Sequence, residues 1–225
     1  MKKTIQRVLA AVILFAMILS GGFSEVGKVH AEKQQGTTKR AIYVVFDNSG
    51  SMYGDGNKAW SQATYAMEVF AAMMNYESGD VMKVFPMHDI TTDGNTGSAT
   101  KSSMEIRGKD DIAQIHNMYT PKPGGTPYTQ VNNAAGELTK LLNAGSVDEG
   151  WLVVLTDGDF DNDIPASGLK ADLEGKAAAN ENLYVQYLAI GTDVKNIPEG
   201  NADKGLYAQK AGNTSEVVNE LAEIS

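Results

Sequence analysis

The chain contains no cysteine. It therefore has no disulfide, no thiolate metal site and no cysteine nucleophile. The same absence excludes a lipid anchor of the bacterial lipoprotein type, which needs a cysteine after the apolar leader. Histidine is nearly as scarce. Apart from His30, close to the start, there are only His88 and His116, and neither lies in the H-E-x-x-H spacing of a zinc helix. Both are expected to be surface or half-buried structural residues. There is one long apolar run, at residues 8–19, and no second one that could span a bilayer. No internal repeat and no low-complexity tract interrupts the chain.

The run at 8–19, VLAAVILFAMIL, follows a basic start of Lys2, Lys3 and Arg7. Ser20, Gly21 and Gly22 break it, and Val29-His30-Ala31 offers a small-residue cleavage signature before Glu32. That order reads as a secretory signal peptide over residues 1–31. A spanning helix needs about 20 apolar residues and this run has twelve, which counts against the alternative, an uncleaved membrane tether. Residues 32–39 then read as a polar linker and residues 40–225 as a domain. The expected location is extracytoplasmic in a bacterium, secreted or at the cell surface. Without residues 1–31, the 19 basic and 28 acidic side chains fall to 15 and 27, a balance of −12. Such a surface repels phosphate backbones, which argues against nucleic acid and for cations.

Within the domain, apolar runs and helical periodicities alternate. Residues 41–46, AIYVVF, and 151–155, WLVVL, are continuous apolar runs, the pattern of strands buried on both faces. Residues 81–87 and 183–190 read as further strands, with 102–106 returning beside 81–87 across a turn at Asp93-Gly94. Trp60, Ala63, Met67, Phe70, Ala71 and Met74 repeat at helical spacing, with Gly79 as the expected stop. The methionines at 67, 73, 74 and 82 read as core packing rather than a cofactor lining. Asp110 is placed to cap a short helix carrying Ile112 and Ile115. Thr126-Pro127 reads as the N-cap and first turn of a helix ending at Gly145. A helix follows over 169–179. Asn213, three residues before Glu216, opens a last helix bearing Val217, Val218, Leu221 and Ile224. The expected fold class is α/β: a doubly wound, mostly parallel central sheet with helices on both faces.

In such sheets, ligands bind beyond the carboxyl ends of the strands. Two of the strongest strands run into an aspartate there, Asp47 and Asp157. Asp47 opens the loop Asp47-Asn48-Ser49-Gly50-Ser51, in which a carboxylate and two hydroxyls at alternate positions can converge. Hard oxygen donors suit Mg²⁺, Mn²⁺ or Ca²⁺. Alone, D-x-S-x-S is a weak motif. Gly124-Gly125-Thr126-Pro127 adds a hydroxyl at a helix start, and Thr156-Asp157-Gly158 a carboxylate at a strand end.

Together these segments resemble the von Willebrand factor A family and its metal-ion-dependent adhesion site: D-x-S-x-S, a distant threonine, then an aspartate after a hydrophobic strand. Asp47, Ser49, Ser51, Thr126 and Asp157 fill the five places in order. The order of elements from 41 to 224 matches too. The resemblance implies that Ser49 and Ser51 coordinate directly and Thr126 directly or through water. It implies that Asp47 and Asp157 act mainly through bound waters and as acceptors from the serines. One coordination position would remain for a carboxylate of a protein partner. The function implied is a divalent-cation-dependent binding or adhesion module, not an enzyme. The alternatives are a metal-dependent hydrolase of phosphate or ester bonds and a docking subunit of a larger surface complex.

Other readings of these residues fit less well. Asp157, Asp159, Asp161 and Asp163 alternate like an EF-hand start, but the sixth position is Asn162 and the twelfth Gly168; a solvated acidic loop is the simpler expectation. A haloacid-dehalogenase-type nucleophile at Asp47 would want an acid where Ser49 stands. A serine hydrolase would want G-x-S-x-G, which neither serine has. Specificity would lie in loops 52–58 and 160–167. If export follows the reading above, N-terminal sequencing of the secreted protein begins at Glu32; recovery of intact residues 1–19 in membranes would establish the tether instead.

Overall fold

The computed structural model describes residues 38–88, 103–118, 125–158, 160–161, 163–191, 194 and 196–224. The expected signal peptide, most of the linker, the turn at Asp93-Gly94, Gly124 and Asp159 lie outside them. Six strands form one sheet: β1 (Arg40–Phe46), β2 (Val81–Pro86), β3 (Met104–Ile106), β4 (Glu149–Thr156), β5 (Leu183–Ile190) and β6 (Leu206–Ala211). Their spatial order is β3-β2-β1-β4-β5-β6, all neighbours parallel except the antiparallel pair β2–β3. The helices are α1 (Gly54–Met73), α2 (Lys109–Met118), α3 (Thr129–Asn143), α4 (Ala166–Ala177) and α5 (Thr214–Ala222).

Strand alternation divides the core into two layers. Ile42, Val44 and Phe46 of β1 join Val153 and Leu155 of β4 under α1, α2 and α5, through Met67, Phe70, Ile115, Val217 and Leu221. Ala41, Tyr43 and Val45 face the other way with Leu152 and Val154, beneath Val131 and Leu138 of α3 and Leu169 and Leu173 of α4. Both sides of β1 and β4 are therefore apolar, which explains their unbroken hydrophobic sequence. Met67, Met74 and Met82 are buried in the first layer, as core packing requires.

The expected doubly wound α/β sheet is the observed one, with differences at element ends. β6 carries no clear sequence signal. Its residues, LYAQKA, are half exposed along an edge, and pairing with β5 supplies what the pattern lacks. The first helix stops at Met73, and Gly79, at φ +98°, closes a short 3₁₀ turn over Tyr76–Ser78. The helix expected to be capped by Thr126 and to begin at Pro127 is capped by Tyr128 and begins at Thr129, with Thr126 and Pro127 in the loop before it. At α5 the cap is as expected: Asn213 accepts from the Glu216 N–H at 3.1 Å, and the Glu216 carboxylate accepts from the Gly212 N–H at 2.7 Å. Among the described residues no helix is long and apolar enough to cross a membrane.

The amino end of the sheet is tied by charge. The Arg40 guanidinium donates to both oxygens of buried Asp80 and, at 2.6 Å, to the carbonyl of Ile224 beyond α5. Asp80 also accepts from the Asn75 N–H. One carboxylate thus joins the start of β1, the turn before β2 and, through Arg40, the end of the chain's last helix. Asp80→Ala strands Arg40 and should cost about 3 kcal/mol, lowering the melting midpoint by on the order of 10 °C. A thermal melt of the variant checks this; a midpoint within about 2 °C of wild type would show the pair to be dispensable.

Candidate metal centre

The strand order reverses direction between β1 and β4, and the crevice at such a switch point is where doubly wound sheets bind ligands. β1 and β4 are in register, Phe46 opposite Leu155, so the chain leaves both strands side by side. The Asp47 N–H extends the ladder by one bond, to the Leu155 carbonyl at 2.7 Å. Asp47 is thereby fixed at the strand end, and it is completely buried.

Its carboxylate organises the loop that follows. Oδ1 accepts from the Ser49 N–H at 2.7 Å, turning the chain back over the strand end. Oδ2 accepts from the Thr156 hydroxyl at 2.7 Å, which binds the β1 loop to the end of β4. Ser49 Oγ and Ser51 Oγ lie 3.0 Å apart, and Ser51 Oγ donates to Asp157 Oδ1 at 2.9 Å. Ser51 is exposed while Ser49 is buried, so the group opens to solvent on the Ser51 side. The loop is anchored below: Met52 is fully buried, and Tyr53 packs on Trp60 with ring centroids 4.5 Å apart.

Burial raises the pKa of both aspartates. For Asp47, bonds from Ser49 and Thr156 act against that rise and the neighbouring charge of Asp157 adds to it; for Asp157, the bond from Ser51 opposes it. No ion pair among the described residues compensates either carboxylate. A fully buried acid and a half-buried one, close enough to repel, form a site short of positive charge.

Four of the five sequence-expected residues are therefore linked by hydrogen bonds. Thr126 is buried on its loop and joins them indirectly. Its carbonyl accepts from the Asp161 N–H at 2.9 Å, and Asp161 lies on the segment that follows Asp157. The acidic loop is thus more than solvated. Asp163 Oδ2 accepts from the Tyr128 N–H at 3.1 Å at the start of α3, and Phe160 packs edge-on against Tyr128 at 4.7 Å. The Tyr128 hydroxyl donates to Asp172 at 2.6 Å. A side chain at Gly125 would overlap the Asp161 carboxylate. Among the described residues no three His, Asp or Glu side chains gather as a cation cage, in this loop or elsewhere.

Sequence reasoning missed four contributors. Thr156 and Asn48 were seen only as motif neighbours. Asn48 is buried, and its side chain accepts from the His88 N–H at 2.8 Å, holding the loop to the end of β2. His88 is half-buried, as expected. Asp161 and Asp163 were read as solvated, and no local signal marks an aspartate whose partner lies 35 residues away.

No protein-family model and no curated protein matches the chain. Solved structures do. A von Willebrand factor type A protein from Catenulispora acidiphila superposes with a TM-score of 0.55 at 16% identity, over 83% of this chain and 42% of that one. This chain has the von Willebrand factor A fold. The same fold relates it to the pilus adhesin SpaC from Lactobacillus rhamnosus GG, with a TM-score of 0.54 at 16% identity over 85% and 31% of the two chains. It also relates it to proximal thread matrix protein 1 from the mussel byssus, described with a zinc-occupied MIDAS motif. There the TM-score is 0.51 at 14% identity over 83% and 46%. The chain spans less than half the length of each of these three.

The strut from the acidic loop to α3 is testable by itself. Asp163→Ala should destabilise the domain by about 1 kcal/mol, the scale of a lost helix cap, and speed amide exchange at Tyr128. Asp163→Asn keeps an acceptor oxygen and should stay near wild type. Unchanged Tyr128 exchange in Asp163→Ala would remove the strut from the account.

Proposed function

We propose that the domain is a divalent-cation-dependent protein-binding module of an extracytoplasmic bacterial protein. The observation that carries the reading is the pair Asp47 and Asp157: both at strand ends at the switch point, both with the pKa raised by burial, neither matched by a basic side chain among the described residues, and bridged by serine hydroxyls. A cation relieves that deficit.

The donor set fits a hard ion. All five side chains offer oxygen, and none offers sulfur or imidazole. With metal–oxygen distances of about 2.0–2.1 Å, adjacent oxygens of an octahedron lie about 2.9 Å apart, against about 3.3–3.7 Å around Ca²⁺. Ser49 Oγ and Ser51 Oγ share a hydrogen bond at 3.0 Å, so both hydroxyls stand close enough to turn toward one ion. In this reading Ser49 and Ser51 coordinate directly, Thr126 directly or through water, and Asp47 and Asp157 hold the waters and orient the hydroxyls. Bound there, the cation supplies an attachment point for a carboxylate of the partner. The hydroxyls bring no charge and the aspartates stand back, so the ion keeps attraction for an acid despite the domain's negative balance. The zinc-occupied MIDAS motif of the mussel protein and the adhesin role of the Lactobacillus protein support the reading by shared fold.

The test is calorimetry with Mg²⁺ and Mn²⁺ on the 32–225 fragment. Asp47→Ala should weaken cation affinity about 10–100-fold, the usual cost of losing a group that orients metal ligands. Thr126→Ala should keep more of the cation affinity and lose more of the partner binding. Capture of partner proteins should depend on the cation and disappear with chelator. Equal cation affinity in wild type and Asp47→Ala would overturn the assignment. Turnover of generic phosphate or ester substrates with Mg²⁺ would favour a hydrolase.

A further inference from the structure

Tyr53 closes the 3₁₀ turn Gly50–Tyr53, which begins inside the loop that bears Asp47, Ser49 and Ser51. Its ring packs on Trp60 with centroids 4.5 Å apart, and Trp60 reaches Phe46, the residue before Asp47, at 6.1 Å. The ring is therefore fixed beside the end of β1. Its hydroxyl oxygen is sealed from solvent and has no hydrogen-bond partner among the described residues. Three other buried side-chain atoms share that condition, and they belong to Trp151, Gln186 and Glu220 on β4, β5 and α5. Among the described residues, only Tyr53 has it on a segment of the candidate metal centre.

A buried O–H is normally paired, because an unmet one forfeits the bonds it made with water. Phenylalanine would fill the same space on Trp60 without that cost, so packing does not account for the hydroxyl. Its neighbourhood does. Burial, and after it the charge of Asp47, push the Tyr53 pKa far up, so the group stays a neutral donor near a carboxylate. An ionised carboxylate offers about four acceptor positions, and the bonds to Asp47 from Ser49 and Thr156 leave room for one more. Ser51 and Tyr53 also share one hydrogen-bonded turn, closed by the Gly54 N–H on the Ser51 carbonyl. A serine turned toward an ion takes Tyr53 with it.

We propose that Tyr53 is a positioning residue of the metal centre: in the cation-loaded site its hydroxyl donates to the Asp47 carboxylate and fixes the orientation in which Asp47 serves the ion. The claim rests on the cation-dependent reading above and adds the residue that steadies its most buried acid. A charge-assisted hydrogen bond shut off from water is a strong one. The fold by itself gives the hydroxyl no acceptor, so the effect falls on cation affinity and not on the stability of the domain.

Removing one hydroxyl tests it. Tyr53→Phe should weaken Mg²⁺ binding about tenfold by calorimetry. Its melting midpoint in chelator should stay within about 2 °C of wild type or rise. Tyr76→Phe is the contrast. The Tyr76 hydroxyl donates to the Ala71 carbonyl at 2.8 Å, so its loss should lower the midpoint and leave Mg²⁺ affinity alone. In the wild-type protein labelled at tyrosine Cζ, the Tyr53 resonance, identified through its contact with Trp60, should shift along the Mg²⁺ binding curve. That measurement needs no substitution. Mg²⁺ binding with an unmoved Tyr53 resonance, or equal affinity in Tyr53→Phe, overturns the role of Tyr53 alone. So does a Tyr53→Phe midpoint that falls in chelator as that of Tyr76→Phe does, since the hydroxyl would then be structural. A wild-type protein that binds no Mg²⁺ overturns the metal reading and this role with it.

Discussion

Burying the Asp47 carboxylate at the end of a strand covered on both faces is the constraint that organises the rest of the site. A carboxylate removed from water must be matched by donors or by charge. The chain supplies donors, the Ser49 N–H and the Thr156 hydroxyl, and among the described residues no basic side chain pairs with it. Each donor also does structural work. The bond to Ser49 curls the loop so that two serine hydroxyls meet, and the bond to Thr156 joins the β1 and β4 ends, bringing Asp157 up to Ser51. The geometry of the candidate centre follows from satisfying one buried acid.

A second level of support lies further out. Asn48 holds the loop to the end of β2, and the acidic segment after Asp157 holds the loop of Thr126. The three segments that bear the candidate ligands are tied to one another as well as to the sheet. At the other end of the sheet, the Arg40–Asp80 pair binds the start of β1 to the last helix, far along the strands from the centre.

Strongly patterned parts of the chain were legible in the sequence for a physical reason. β1 and β4 are covered on both faces, so nearly every residue in them must be apolar, and the run announces itself. Weakly patterned parts were not. β6 is an edge strand buried only at its two ends, and its hydrogen bonds come from β5, not from any preference of LYAQKA. The start of α3 was misplaced by two residues, the cap falling at Tyr128 instead of Thr126. Thr126-Pro127 has the local chemistry of a helix start, while an acceptor for the Tyr128 N–H is Asp163, 35 residues along the chain.

For the site, the sequence by itself determined the donor chemistry and the strand ends on which it would sit: oxygen only, no sulfur, two acids after apolar runs, two hydroxyls at alternate positions. Those are properties of residue type and short spacing, and they need no partner from elsewhere in the chain. Only the tertiary structure decided which of the other side chains join them. Thr156 bridges two strands, Asn48 holds the loop to the end of β2 and Asp163 supports a loop. Each of these roles depends on what lies across a gap between segments distant in sequence, and such a hydrogen bond exists only once the fold has set that distance.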